Sequence, residues 1–327
     1  MASVFYVDYY LPKKRITVQD VIKEANNFIL PSNFKTNEEY CIDFCSQSKM
    51  NKISIEESQD HVDIFSNMIS KFFDKTKINP DDINCMIYAD PKNSYAYPDI
   101  NSEGRVIIPY YLQKKYKLSN ASIIISNQQC ITTIWSIGMA QKLLLGTIGK
   151  YVIIISSNFL KNMEDRNMGF AIGGDGAGII AIKSDMALYE VVDYNFLSDG
   201  TASFNSYCNI KKKINKFDNI IQQVKAIKCL LGKNKLRMND IFGVIPQNIN
   251  YCVYVNVYGK MLNLETKKMF LDNIPNGGHC GDVDIIRNLA DFLNKYQIPK
   301  GSYILLFGMG AFGEDFNYGA VLLKSTN

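Results

Sequence analysis

The chain has 327 residues, 47% of them hydrophobic, and its 36 basic residues stand against 32 acidic ones. A chain of this composition can bury a full core, which excludes intrinsic disorder and a small scaffold held together by disulfides. The formal net charge of +4 is spread along the sequence and gives no support to nucleic-acid binding.

Short apolar, β-branched runs alternate with helical patterns along the chain. Their continuous hydrophobicity is typical of strands that helices cover on both faces. The predicted strands are Ile83–Tyr88, Ser122–Ser126, Tyr151–Ser156, Gly178–Ile182, Phe242–Ile245, Tyr303–Phe307 and Gly319–Leu323, and helical patterns occupy Val62–Phe73 and Ile285–Tyr296. This alternation predicts an α/β architecture.

Two segments echo each other about half a chain apart. The run Lys75–Ile87 and the run Lys233–Ile245 stay in register at an offset of 158 residues. A second echo pairs Gly149–Ile153 with Lys300–Leu305. The echoes predict two similar halves packed as one body. Chance similarity between segments rich in lysine and isoleucine is the alternative.

Cys130 lies at a position that is typical of nucleophiles. It follows the predicted strand Ser122–Ser126 across a short turn and opens a predicted helix, Ile131–Leu145, which ends at Gly146. The positive end of a helix dipole favours the thiolate form of a nearby cysteine. Cys130 is therefore a candidate nucleophile, although structural cysteines also occur at such turns.

The sequence contains two histidines. His61, at the polar start of a helix, is predicted to lie on the surface. His279 lies in a Gly-rich loop before a helix, and Asp284 follows near the N-terminus of that helix. The pair is either a loop histidine with a capping aspartate, or a general base oriented by a carboxylate beside the cysteine nucleophile.

Two Gly-rich segments remain. Gly173–Gly178 precedes a strand, whereas a dinucleotide-binding loop follows a strand and opens a helix, so that function is excluded. Gly308–Gly313 follows the strand Tyr303–Phe307. It predicts a tight turn that either aims backbone N–H groups at an oxyanion or packs two strands closely.

The cellular setting follows from the remaining features. The first residues contain no apolar signal core, and no apolar run approaches the length of a membrane span. Eight cysteines without a signal peptide indicate reduced thiols, and the close pair Cys41 and Cys45 has no nearby histidine to complete a metal site. We expect a cytoplasmic protein with no metal and no membrane or nucleic-acid partner.

Four motifs follow one another along the chain: Asn127–Cys130, Ile172–Gly178, Val244–Asn250 and Phe312–Gly319. With these motifs in this order, the chain from about Ser46 to Leu323 resembles β-ketoacyl-acyl-carrier-protein synthase III and its relatives in the thiolase superfamily. The resemblance implies an αβαβα sandwich of two pseudo-repeated halves, usually a homodimer. Residues 1–183 would carry the nucleophile, and residues 184–327 the His/Asp pair and the closing Gly-rich turn.

The resemblance also implies an acyl thioester on Cys130. Its donor would be acyl-CoA or the phosphopantetheine thioester of an acyl carrier protein, with no tightly bound cofactor. Backbone N–H groups of Cys130 and of the turn Gly313–Glu314 would hold the oxyanion. Gln247 and Asn250 would line the pocket and position the acceptor or the thioester carbonyl.

Departures from the family pattern bear on the reaction. Condensing members use Cys, His and Asn, but here Gln247 stands at the histidine position and His279 at the asparagine position. An amide cannot act as a base near neutral pH. His279 followed by Asp284 instead resembles the acyltransferase branch, whose members pass the acyl group to a hydroxyl, amine or carrier acceptor in specialised metabolism. Glu314 also replaces a glycine of the closing motif.

Two other functions stay open at this point. One is a carbon–carbon bond-forming synthase in which His279 takes over generation of the carbanion. The other is a non-catalytic subunit that keeps the fold within a multi-enzyme complex. Retention of Cys130 argues against the second, and the altered Gly-rich turn argues mildly for it.

Overall fold

The computed structural model describes residues 2–25, 30, 33–58, 61–89, 96–100, 104–144, 150–210 and 216–326. The strands are β1 (Ser3–Tyr10), β2 (Lys14–Thr17), β3 (Lys52–Ile55), β4 (Ile83–Ala89), β5 (Ala96–Ile100), β6 (Gly104–Ile107), β7 (Ser122–Ser126), β8 (Tyr151–Asn158), β9 (Gly176–Lys183), β10 (Tyr189–Asp199), β11 (Ile241–Ile245), β12 (Asn276–Gly277), β13 (Tyr303–Phe312) and β14 (Asp315–Ser325). The helices are α1 (Val18–Glu24), α2 (Asn37–Ser48), α3 (His61–Thr76), α4 (Ile108–Lys115), α5 (Thr132–Leu143), α6 (Thr201–Tyr207), α7 (Lys216–Lys233), α8 (Tyr251–Val253), α9 (Gly259–Leu262) and α10 (Val283–Lys295). A π-helical turn, Tyr254–Tyr258, joins α8 to α9.

Within the described residues, nine strands form one mixed sheet in the order β11-β13-β14-β10-β1-β9-β8-β4-β7. Strands β1 and β10 pair antiparallel at Ser3–Glu190 and Val4–Tyr189 and thereby join the two halves of the sheet. Neither strand was predicted, because both mix aromatic and polar residues instead of showing a continuous apolar run. Every strand that the sequence predicted is present.

The sheet folds around a central helical layer. Helices α5 and α10 pack between its halves, where Ile137 and Ile285 share one apolar cluster with residues of both halves, such as Val152 and Leu306. Helices α3 and α4 cover the outer face of one half, and α7 covers that of the other. The predicted thiolase-like αβαβα sandwich is therefore confirmed.

The two echoing segments adopt the same local structure. A 3₁₀ turn, Pro80–Asp82, leads directly into β4, and a second one, Met238–Asp240, leads directly into β11. Left-handed residues precede both turns, Lys77 with φ 55° and Lys235 with φ 56°. The division predicted after residue 183 falls between β9 and β10.

The sequence placed some local features wrongly. His61 is 5% exposed, because its ring packs 3.7 Å from that of Phe159. Helix α5 is shorter than predicted, and its predicted end, Leu145 and Gly146, lies outside the described residues.

The predicted turn after Phe307 is also wrong, because β13 continues to Phe312 and turns at Gly313–Glu314. Gly308 and Gly310 stay extended within this strand. A Cβ on Gly308 would lie 2.6 Å from Cδ of Gln247, so this glycine serves close packing.

Close approach of two Gly-rich loops fixes the position of His279. A Cβ on Gly174 would lie 1.9 Å from the carbonyl oxygen of Gly277. The backbone N–H of Gly174 donates to His279 O at 3.0 Å, and that of His279 donates to Ile172 O at 2.8 Å. Beneath these contacts, a buried ion pair joins Arg166 and Asp175 at 2.8 Å.

We expect Gly174→Ala to destabilise the protein by about 3 kcal/mol, because the new methyl group must displace backbone. Gly200→Ala is the control, since nothing lies within 4 Å of the Cβ that it would add. Urea denaturation of both variants measures the difference. Equal stability of the two variants would contradict the close approach.

Candidate active site

A tight turn holds Cys130 immediately before α5. Gln129 adopts the left-handed conformation, with φ 53°. The Thr132 hydroxyl accepts from the backbone N–H of Gln128 at 2.9 Å and donates to the carbonyl of Gln129 at 2.7 Å. Cys130 is partly exposed and lies two residues before α5 begins. The thiol thus stands at the end of β7 and at the helix N-terminus, as predicted.

His279 lies between a carboxylate and this thiol. Its side chain is 1% exposed, and its Nδ1–H donates to Asp284 Oδ2 at 2.5 Å. Burial alone would lower the pKa of His279, but Asp284 and the nearby Cys130 thiol raise it to about 10. The second ring nitrogen, Nε2, is then the one available to the thiol.

Asp284 accepts four hydrogen bonds and does not cap its own helix. Oδ2 accepts from His279 and from the backbone N–H of Asn248 at 2.8 Å, while Oδ1 accepts from Asn248 Nδ2 at 3.2 Å and Cys280 N at 2.8 Å. The sequence reasoning missed Asn248, since its side chain meets Asp284 only through the fold.

Gln247 and Asn250 bind protein groups in this structure. Gln247 Nε2 donates to the carbonyls of Cys130 and Met309, and its Oε1 accepts from Met309 N at 2.9 Å. Asn250 caps α8, where its Oδ1 accepts from Val253 N at 3.2 Å. The structure therefore brings Gln247 to the nucleophile and gives Asn250 a role at the helix terminus.

The turn Gly313–Glu314 forms the exposed tip of the β13–β14 hairpin. Within this hairpin, Gly310 lies against the nucleophile, because a Cβ there would be 3.2 Å from Cys130 N. Just beyond the tip, Asp315 accepts from backbone N–H groups of α6.

Asp282 is a further acidic residue that the sequence did not single out. It is fully buried, and its Oδ1 accepts from the backbone N–H of Thr133 at 2.9 Å, in the first turn of α5. Its Oδ2 has no hydrogen-bond partner among the described residues. Burial raises the pKa of Asp282 to about 7, against the lowering effect of the Thr133 N–H and of His279.

An aromatic residue flanks the base. The ring of Phe170, half exposed, meets the His279 ring edge-on at 6.3 Å. Within the described residues, no group of three or more His, Cys, Asp and Glu could hold a metal ion.

In the same part of the chain, the helices are too short or too polar to cross a bilayer.

We expect Asp282→Asn to flatten the pH dependence of stability between about pH 4 and pH 7. In wild type, the unfolded chain releases this proton near pH 4, whereas the folded chain keeps it up to about pH 7. The folded state binds more protons in that window, so stability falls as pH rises.

Urea denaturation across this window measures the difference, and Asp185→Asn, at an exposed carboxylate, is the control. Parallel curves for wild type and Asp282→Asn would contradict the assignment.

No protein-family model matches the chain. It is 25% identical over 237 residues to β-ketoacyl-[acyl-carrier-protein] synthase III of Clostridium perfringens strain SM101, which covers 65% of this chain and 71% of the relative.

Solved structures agree in fold. The synthase III of Aquifex aeolicus VF5 superposes with a TM-score of 0.74 at 17% identity, over 99% of this chain and 100% of that one. ChlB3, described as an acyltransferase, superposes with a TM-score of 0.77 at 13% identity, over 100% and 98%. The chain is therefore similar in sequence to β-ketoacyl-[acyl-carrier-protein] synthase III and shares the fold of solved synthase III structures.

Proposed function

We propose that the protein is an acyltransferase of specialised metabolism. It forms an acyl-Cys130 thioester from acyl-CoA or an acyl carrier protein and passes the acyl group to a hydroxyl, amine or carrier acceptor. One observation carries the proposal: the imidazole of His279 is buried between the Cys130 thiol and the Asp284 carboxylate.

Loading begins with transfer of the Cys130 proton to His279. The raised pKa of His279, about 10, favours the resulting imidazolium near neutral pH. The thiolate attacks the donor carbonyl, and the carbon–sulfur bond of the donor breaks. The leaving thiolate of CoA or phosphopantetheine takes the proton from the imidazolium. The Cys130 N–H and the positive end of α5 stabilise the oxyanion.

Transfer uses the same groups in reverse. Acylation removes the thiol that helps to raise the pKa of His279. Asp284 still raises that pKa, so the neutral fraction of the imidazole grows with pH. This neutral form accepts the proton of the acceptor as the acceptor oxygen, nitrogen or sulfur attacks the thioester. The Cys130 thiolate leaves and recovers that proton from the imidazolium. Asp284 holds the ring in orientation through Nδ1–H, and no tightly bound cofactor is required.

The hydrogen bonds of the Gln247 side chain favour acyl transfer over condensation. Decarboxylative condensation needs side-chain groups that bind a malonyl carbonyl. Both ends of the Gln247 amide are already bonded to the backbone of Cys130 and Met309. Similarity to ChlB3, described as an acyltransferase, agrees in fold alone.

Condensation is the second candidate, and the names of the sequence relatives favour it. In that reaction His279 would assist formation of the carbanion, and release of carbon dioxide from a malonyl thioester would identify it. A non-catalytic subunit is the third candidate, and co-purification of an obligate partner would identify it.

We expect intact-protein mass spectrometry to show an acyl adduct after incubation with short acyl-CoAs, or with acyl carrier proteins. Cys130→Ala should carry no adduct, because the nucleophile is gone. Failure of every donor to load wild type would reject catalysis through Cys130.

We expect His279→Ala, once acylated, to discharge to an acceptor about 10²–10⁴ times more slowly than wild type, because the general base is lost. Transfer by wild type should rise with pH as the imidazole of the acylated enzyme becomes neutral. Discharge is followed as loss of the adduct mass across a panel of alcohols, amines and carriers. Equal discharge by both proteins would remove His279 from the reaction.

A homodimer is part of the proposal, and strand β7 supports it. This strand ends the nine-stranded sheet and pairs with β4 on one side. Its isoleucines Ile123, Ile124 and Ile125 keep part of their surface exposed. An apolar sheet edge of this kind favours pairing with a second copy.

We expect wild type to be a dimer and Ile124→Lys to shift it towards monomer, because a lysine on an edge strand opposes pairing. Light scattering after size exclusion measures the mass. A wild-type monomer would contradict this part of the proposal.

A further inference from the structure

Two consecutive buried residues contact opposite sides of the candidate catalytic set. Gln247 and Asn248 follow β11 by two and three residues and are 1% and 0% exposed. The first bonds to the turn that carries the nucleophile, and the second bonds to the carboxylate that holds the base. Two adjacent residues therefore link the nucleophile turn to the His279–Asp284 pair.

Gln247 ties the nucleophile turn to β13. Its Nε2 donates to the carbonyls of Cys130 and Met309, and its Oε1 accepts from the Met309 N–H. Gly308 permits this arrangement, since a Cβ there would lie 2.6 Å from Cδ of Gln247. Three hydrogen bonds to backbone leave the amide no freedom to turn.

Asn248 holds Asp284 in the same way. Its backbone N–H and its Nδ2 donate to the two oxygens of Asp284, at 2.8 and 3.2 Å. Its own Oδ1 accepts from Asn288 Nδ2 at 2.9 Å, and that amide also donates to Pro246 O at 2.7 Å. Asn288 therefore fixes the orientation of the Asn248 amide that faces Asp284.

We propose that the Gln247–Asn248 dipeptide is the positioning element that sets the relation between Cys130 and the His279–Asp284 pair. The proposal rests on the proposed function and deepens it. Neither side chain acts on substrate: Gln247 fixes the backbone of the nucleophile, and Asn248 fixes the carboxylate that orients the base.

The two residues have separable effects. Gln247→Met keeps the side-chain size but removes the bonds to Cys130 and Met309, so acylation should slow about tenfold or more while thiol ionisation is kept. Asn248→Leu removes a donor to Asp284. His279 then stabilises the thiolate less, and the pH midpoint of Cys130 alkylation should rise by about one unit.

Each effect has a probe that does not depend on the natural donor. Acylation is measured with 4-nitrophenyl acetate, whose acetyl group passes to Cys130 as 4-nitrophenolate leaves. Thiol ionisation is measured as the rate of iodoacetamide alkylation against pH, with the Cys130 peptide quantified by mass spectrometry. Wild type must acetylate at Cys130 for the first probe to be read, and the second probe needs no acyl chemistry.

Matched controls lie away from the site, one on helix α7 and one on strand β10. Gln223 is fully buried, and its amide donates to Gly319 O at 3.2 Å, so Gln223→Met repeats the first substitution away from the site. Asn195 donates to Ala226 O at 2.9 Å, so Asn195→Leu repeats the second. Both controls should lose stability and keep wild-type acylation rate and alkylation midpoint.

Gly308→Ala keeps the inference testable if Gln247→Met does not fold. The added methyl group pushes on the Gln247 amide without touching Cys130, and should also slow acylation. The inference is overturned if the variants lose stability but keep both readouts, or if both residues change both readouts alike. Absence of acyl-CoA loading in wild type, with the alkylation shift still present, would reject the proposed function alone.

Discussion

Burial of the Asp284 carboxylate is the constraint on which the rest of the site depends. A charge removed from water needs hydrogen-bond donors, and Asp284, at 0% exposure, has four of them. His279 supplies one donor, Cys280 N another, and Asn248 the remaining two. The loop that carries His279 must therefore pass directly over the start of α10, and the glycines on either side of it allow that approach.

This requirement explains why residues from distant parts of the chain converge. Strand β7 brings the nucleophile and β11 brings Gln247 and Asn248, and both strands end at the same side of the central helices α5 and α10. Because α5 begins just after Cys130 and α10 begins just after the His279 loop, the central layer fixes both reacting groups. The remaining positioning is local and depends on hydrogen bonds to backbone.

The sequence predicted the elements whose signal is local. Cys130 stands between a β-branched run and a helix. The repeated Asp-Ile turns before β4 and β11 can be recognised directly in the sequence. Features that depend on tertiary contact escaped it. His61 is polar in sequence but buried against Phe159. Strand β13 runs on past Gly308 because it stays paired with β14 as far as Phe312, and Gln247 occupies the space that a side chain at position 308 would fill. The hydrogen bonds of Gln247 and Asn248 could not be predicted, because their partners lie far away in sequence.

Asp282 and Asp284 show how little the residue type alone decides. They are two positions apart and equally buried, yet Asp284 has four donors and Asp282 has one backbone N–H with an oxygen left over. Burial raises the pKa of Asp282 to about 7. The two aspartates thus differ in the donors that the fold supplies. Asp284 is held by four donors and orients His279, whereas Asp282 binds the first turn of α5 and holds its proton more tightly than an exposed carboxyl group does.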